Sequence, residues 1–574
     1  MEFTVKGGND GAIITIENQK EKDGIIYATV NLTLLKEEVP LPFSISWKHP
    51  FIDCYSTWSP SIRHERNISP DWAPNRTESR LAMYMPLHSI VSIKGRNRIT
   101  ISLADVLNPT TISTGVYEEE ASIDCTVTFF TIPVAPLKTY STTLRIDKRD
   151  IPYYDSIYDN TLWWENECGY KAAYVPEHAK LPMNSLWYSY HQNLDVKDII
   201  KECVLSKELG MSTVIVDDGW QTDDNSRGYA YCGDWEVSTK KIPDIKAFIN
   251  DIHATGMKVI FWFSVPYVGI YAKNYERFKD MLLDGTGDNK TYLALDPRYK
   301  EVRDFLIETF TSAVREWKLD GLKLDFIDVF VLRGKSLEYD KRRDYQALED
   351  AIDVLISDIT KELKKINPEI LIEFRQPYNG PGIRKYGNIL RVIDCPNDAQ
   401  MNRRDVINLR LSSGGTAVHS DMLMWNREDS VETAALQIAS AMYSVPQISV
   451  KIALLPENHK KMLSFYLSLW KENRDILLYG KVIAASPESG YTIAAAVKGS
   501  DAFYTCFIEN IIDDKYNGKI TVINASPKKS IIFKNLSGKK YVIYDCMGNK
   551  LEDGQLAGAL CEISVPLCGV VFLD

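Results

Sequence analysis

Lys323 and Asp325 stand two residues apart in GLKLDFID (321–328), among Leu and Phe. The apolar run reads as a short buried strand, in which side chains at i and i+2 share a face. A cation and a carboxylate therefore project together from it. A structural ion pair is one reading, although a buried pair adds little net stability over apolar residues. The other is a reacting carboxylate kept ionised by a neighbouring cation.

The same chemistry recurs at the ends of other apolar runs. NSLWYSYH (184–191) carries Trp187, Tyr188 and His191, and STVIVDDGW (212–220) ends in Asp217, Asp218 and Trp220. KVIFWFS (258–264) holds Trp262, and EILIEFRQ (369–376) holds Glu373 and Arg375. NILRVIDC (388–395) presents Arg391 and Asp394, with Asp398 just beyond; GTAVHSD (415–421) adds His419 and Asp421, followed by Trp425. Singly, an Asp at a strand end is a helix cap and a Trp is core. Jointly, carboxylates, cations and indoles at one end of one layer suit a sugar, whose C–H faces pack on aromatic rings while its hydroxyls bridge charged groups. Glycoside cleavage requires two carboxyl groups flanking the anomeric carbon. Asp325 is read as the attacking one, with Lys323 on the same face. A metal centre would want His-rich or all-carboxylate clustering, but there are eight His in all, and Lys323 and Arg391 would oppose a cation. Neither a metal nor a cofactor is expected. A Ser–His–Asp mechanism lacks its G-x-S-x-G elbow.

Eight apolar runs between 184 and 452, the last being PQISVKI (446–452), alternate with amphipathic stretches such as VKDIIKECVLSKELG, PDIKAFINDIHATG and KEVRDFLIETFTSAVREWK. Pro243 suits a first helical turn, and Gly210 and Gly256 suit helix ends. The alternation predicts parallel strands and a (β/α)₈ barrel, with active-site residues at the strands' C-terminal ends. A doubly wound open sheet is the structural alternative. The short link between runs five and six leaves room for a single helical turn. Strand-like runs precede and follow, so the expected organisation is an N-terminal β-sandwich (1–160), a catalytic barrel (161–477) and a C-terminal β-sandwich domain (478–574). Asn517-Gly518 reads as a hairpin turn. The segment CYSTWSPSIRH (54–64) either lies on the sandwich surface or reaches over the site, where Trp58 would line the sugar pocket.

With 574 residues, 45% hydrophobic and 25% charged, the chain has the composition of a multidomain globular protein. Its net charge of −10, without a basic block, argues against nucleic acid and anionic membrane as partners. No run is long enough to span a bilayer, and the first residues lack a signal-peptide pattern. The ten Cys show no C-x-x-C pair. These features lead to the expectation of a cytoplasmic protein with reduced thiols. Flanking β domains admit a homo-oligomer by analogy.

VDDGW, LKLDFID and LRVIDCPNDA, in this order on a β/α chain, resemble the retaining α-galactosidases of glycoside hydrolase family 36. The resemblance implies the three-part architecture and a double displacement on an oligosaccharide or glycoside, without a cofactor. It implies Asp325 as nucleophile and Lys323, Asp217, Asp218, Trp220, Trp187, Tyr188, Trp262 and Arg391 as sugar-binding. The acid/base Asp follows Arg391. The family's R-x-x-x-D is one residue longer than Arg391-Val-Ile-Asp394, so Asp394, which ends the strand, is taken first and Asp398 second. A raised pKa is expected for Asp394. DFIDVF departs from the family's Asp-Met-Asn-Arg after the nucleophile. Arg375, His419, Asp421 and Trp425 are taken as walls of the site. The variants weighed beside α-galactosidase are an α-N-acetylgalactosaminidase and a raffinose-synthase-like transferase. A non-catalytic sugar-binding protein and a metal-dependent barrel hydrolase are the rivals from other classes.

Overall fold

The computed structural model describes residues 1–62, 65–283, 291–334, 338–513 and 516–574. Alternating β-branched residues in the first 147 positions form a five-stranded and a six-stranded antiparallel sheet. Their facing sides share a core built around Val30, Ile45, Trp47, Ile101, Val127 and Leu144. The helix Tyr153–Asn166 leads from this sandwich toward the central region.

There, eight parallel strands close into a barrel. In order they are Met183–Ser185, Thr213–Val216, Lys258–Ser264, Gly321–Asp325, Leu371–Arg375, Ile389–Arg391, Ala417–Leu423 and Val445–Ile448. Every run expected to be a strand contributes one, and an open sheet is excluded. The three quoted amphipathic stretches form the helices Val196–Glu208, Ile245–Ala254 and Lys300–Trp317. Asp195 and Asp244 cap the first two by accepting from Asp198 N and Ala247 N. Pro243 thus lies just before its helix rather than in its first turn. The link between strands five and six holds the 3₁₀ turn Ile383–Lys385.

Inward-facing residues follow the two-residue period of each strand. At the N-terminal end Met183, Ile215, Ile260, Leu371, Ile389 and Ala417 pack with Ala179 into an apolar plug. Further along, the inward positions turn charged. Lys323 lies in register with Trp262 on one side and Glu373 on the other, and Arg375 with Arg391.

From Lys481 onward the chain forms a seven-stranded and a three-stranded sheet. Asn517-Gly518 does not join a hairpin. The strand that follows, Ile520–Asn524, pairs parallel with Asp501–Cys506, while Ile511–Asp513 pairs with Ser530–Lys534 in the other sheet. The turn is instead tied back by Gly518 N donating to Ser500 O. All ten cysteines are free thiols.

Candidate active site

Asp325 ends strand four and is 6% exposed. Its Oδ1 accepts from Arg375 Nε at 2.5 Å and Tyr378 Oη at 3.2 Å, and its Oδ2 from Trp262 Nε1 at 3.0 Å. The chain turns sharply just after it, with Phe326 at φ 66° donating its amide to Oδ1. Burial pushes the Asp325 carboxyl upward, but Arg375, Lys323 and Arg391 outweigh that and hold it well below the usual carboxylate range. An ionised, oriented carboxylate is what a nucleophile requires.

Lys323 lies on the same face, as its spacing implied, but its direct partner is Asp217, at 2.6 Å from Nζ to Oδ2. Burial opposes the ammonium, yet Asp217 keeps its pKa raised. The neighbouring Asp218 accepts from Gln192 Nε2 at 2.7 Å and Gln221 Nε2 at 2.6 Å. Burial nevertheless raises it to about 6. Gly219 follows at φ 112°; a Cβ there would lie 2.4 Å from Gln192 Cα, so this turn requires glycine.

Arg391, 1% exposed, links two carboxylates through one nitrogen. Its Nη1 is 2.7 Å from Asp394 Oδ1 and 2.7 Å from Asp421 Oδ1. Asp421 is fully buried; its Oδ2 accepts from Cys395 N at 2.7 Å and from Tyr188 Oη at 3.0 Å. It therefore grips both Arg391 and the residue after Asp394. The Asp394 side chain is 48% exposed. The raised pKa expected for Asp394 is not found. Its crowded surroundings push the carboxyl up, but Arg391, with Lys323 and Arg375, lowers it overall. The raised carboxyl of the pair is Asp421, driven to about 6 by burial against the pull of Arg391.

Trp187 and Tyr188 are also present, though in a short helix, Trp187–Tyr190, rather than on a strand. Trp187 packs on His191, with ring centroids 4.3 Å apart. The remaining expected residues lie elsewhere. Trp220 is fully buried behind the barrel wall, its indole donating to Trp262 O and its ring packed on Phe261, Phe263 and Trp317. His419 points into the barrel one period below Asp421 and bonds Ala179 O of the plug, where burial lowers it to about 4. Trp425 donates to His459 of the helix Glu457–Glu472. Asp398 caps the helix Ala399–Ser412 by accepting from Met401 N. Trp58 is in the strand Ser56–Trp58, fully buried, donating to Asn408 and Tyr491 Oη. Trp58 itself therefore does not line the constellation, and Arg63 and His64 of its segment lie outside the described residues. The sandwich instead leans on the site's margin through Arg80, which donates to Asp328 O and pairs with Glu349.

Tyr378, Gln192, Gln221 and Tyr229, whose ring stacks over Trp262, were not anticipated. Tyr378 follows strand five by three residues and Gln192 directly follows His191, so scanning each strand-to-helix loop would have found both. Glu373 is fully buried near Arg391 and accepts from Gln447. Among the described residues, no group of three or more His, Cys, Asp or Glu is arranged to hold a metal ion. No helix among them is long and apolar enough to cross a membrane.

The family model of Melibiase matches residues 181–480, more than half of the chain and the whole barrel. The chain belongs to the Melibiase family. This family member is 20% identical over 315 residues to the α-galactosidase AgaA of Geobacillus stearothermophilus, covering 51% of this chain and 41% of that protein. It is 29% identical over 138 residues to the bifunctional α-galactosidase/sucrose kinase AgaSK of Mediterraneibacter gnavus, covering 23% and 14%. The match thus spans less than half of either curated relative. The fold is shared more widely. The galactosidase domain of AgaSK superposes with a TM-score of 0.63 at 14% identity, over 100% of this chain and 85% of that one. The GH36 α-galactosidase AgaA bound to 1-deoxygalactonojirimycin gives 0.64 at 15% identity, over 96% and 79%.

Proposed function

We propose that this Melibiase-family protein is a retaining, exo-acting α-galactosidase that releases terminal α-galactose by double displacement. The observation that carries the reading is Asp325, a buried carboxylate held ionised by Arg375 and Lys323 and oriented by Trp262 and Tyr378. In this scheme Asp325 Oδ2 attacks the anomeric carbon while Asp394 protonates the departing oxygen. The glycosyl ester formed on Asp325 is then cleaved by water that Asp394 deprotonates, restoring both carboxyls. The half-exposed position of Asp394 supports its choice over Asp398, whose side chain is committed to a helix cap. Asp394 must acquire a proton before the first step. Arg391 bridges it to Asp421, the carboxyl of the pair that burial raises to about 6.

Asp217, Lys323 and Asp218 would grip the far hydroxyls of the glycone, with Trp262 and Trp187 as aromatic faces. The solved AgaA structures include complexes with raffinose and stachyose. On that likeness the substrate is an oligosaccharide ending in α-galactose. The test is hydrolysis of p-nitrophenyl α-galactoside, followed by NMR of the first-formed sugar. Release of α-galactose supports the reading; β-galactose as first product would replace it with inversion. Turnover of only another glycone would overturn the substrate assignment.

A further inference from the structure

The strands' N-terminal end, opposite the candidate active site, opens onto a separate cavity of about 470 Å³. That is within the range of small-molecule sites. Its walls come from five parts of the chain, one of them the stretch before strand one with Val175 and Lys180. One face of the helix Tyr153–Asn166 contributes Tyr154, Tyr158, Leu162 and Glu165, spaced i, i+4, i+8 and i+11. The end of the helix Ala399–Ser412 contributes Arg410, and the turn into strand seven contributes Gly415 and Thr416. Tyr479 and Lys481 come from the entry to the C-terminal domain. The plug residue Ala417 lies at the floor, so the apolar plug separates this cavity from the charged layer around Asp325.

Three side chains of this wall carry a polar atom without a partner, each atom lying beneath the cavity surface. Arg410 donates from Nη2 to Leu477 O at 3.2 Å, but its Nε is buried without a partner. It ion-pairs with no carboxylate among the described residues, and burial lowers its pKa to about 10. The Thr416 hydroxyl belongs to a side chain only 2% exposed and is likewise unpartnered, as is Glu165 Oε1. Such groups normally find a protein or solvent partner, and leaving them unmet is costly. A Cβ at Gly415 would meet nothing within 4 Å, so the backbone there faces open space. Tyr158 and Tyr479 are 51% and 53% exposed, with Lys180 5.7 Å from the Tyr479 ring centroid.

We propose that this cavity is a second binding site, for a neutral mono- or disaccharide, on the face of the barrel away from the catalytic carboxylates. Tyrosine rings and hydroxyls beside the partly exposed Arg410 and Glu165 match sugar hydroxyls, each of which both donates and accepts. Asp155 is paired with Lys481 at 2.6 Å and Glu165 offsets a second cation of the wall, so of Arg410, Lys180 and Lys481 little net charge is left to favour an anion.

The test is hydrogen–deuterium exchange of the full chain with D-galactose, D-glucose, melibiose, raffinose or inorganic phosphate. The catalytic site is blocked throughout by 1-deoxygalactonojirimycin. Slower exchange at 410–418 and 474–482 with at least one sugar is expected in wild type. That protection should be lost in Tyr479→Ala and weakened in Tyr158→Ala, the other exposed ring of the wall. Both variants should keep wild-type melting and wild-type turnover of p-nitrophenyl α-galactoside, if that is a substrate. Absence of protection with every sugar overturns the proposal, as does protection by phosphate alone. Protection that survives both substitutions overturns it too. None of these readouts requires the protein to hydrolyse galactosides.

Discussion

The two ends of the barrel interior are built by the same strands and differ in almost every physical respect. Ile260 and Trp262, Leu371 and Glu373, Ala417 and Asp421 are each a few residues apart on one inward face. The lower members form an apolar plug. The upper ones form a layer in which Lys323, Arg375 and Arg391 are interleaved with Asp217, Asp325, Glu373 and Asp421. The plug provides stability through burial alone. The charged layer costs desolvation and gains it back only while every partner is present. Apolar packing and buried charge are thus separated along the barrel axis, as the fold allows.

Substitutions in the two layers should therefore fail differently. Asp394→Ala is expected to lower kcat/KM on glycosides with poor leaving groups by roughly 10²–10⁴-fold, and much less on p-nitrophenyl glycosides. Melting should barely change, because the side chain is half-exposed. A comparison of the two substrate types checks this, and equal loss on both would remove Asp394 from the acid role. Lys323→Met leaves Asp217 buried without its cation. It should cost about 3–5 kcal/mol in urea unfolding, together with most activity. Leu371→Ala in the plug should cost a comparable amount, about 2–5 kcal/mol, by opening a cavity. Its pH–rate profile should nevertheless match wild type, and a shifted profile would show that the two layers are coupled.

Asp421→Asn should give the most specific effect. Removing a negative neighbour lowers the proton affinity of Asp394, so the basic limb of kcat/KM should move to lower pH. The stability consequence has a definite sign. Asp421 binds its proton more tightly folded, near 6, than an ordinary aspartate does unfolded, at about 3.9. Its favourable contribution is complete below the unfolded value and is lost as pH rises through about 6. The stability gap between wild type and variant should therefore change across that window and be flat on either side. Urea midpoints measured across the window test this.

The barrel was legible because strand and helix periods differ and eight apolar runs alternate with amphipathic ones. The site was legible in part. Lys323 and Asp325 stood out because charge in an apolar strand is rare. Trp220 and Trp262 show the limit. Both end or lie in apolar runs, but the strand's phase sends Trp262 inward to Asp325, while the glycine turn at 219 leaves Trp220 behind the wall. His419 and Asp421 share a face but differ in depth, and depth depends on strand stagger, which a single sequence does not state. Asp398 is a cap because a helix starts after it, whereas Asp394 stands before that start.

The most direct test of the account is to trap the intermediate. The protein is incubated with a 5-fluoro-α-galactosyl fluoride, digested and mapped by mass spectrometry. The account predicts a single added 5-fluorogalactosyl group on the peptide containing Asp325, with fluoride released, absent from Asp325→Ala. An adduct on another carboxylate would contradict the assignment. Turnover of p-nitrophenyl α-galactoside with no trapped ester and inversion at the anomeric carbon would contradict the double displacement itself.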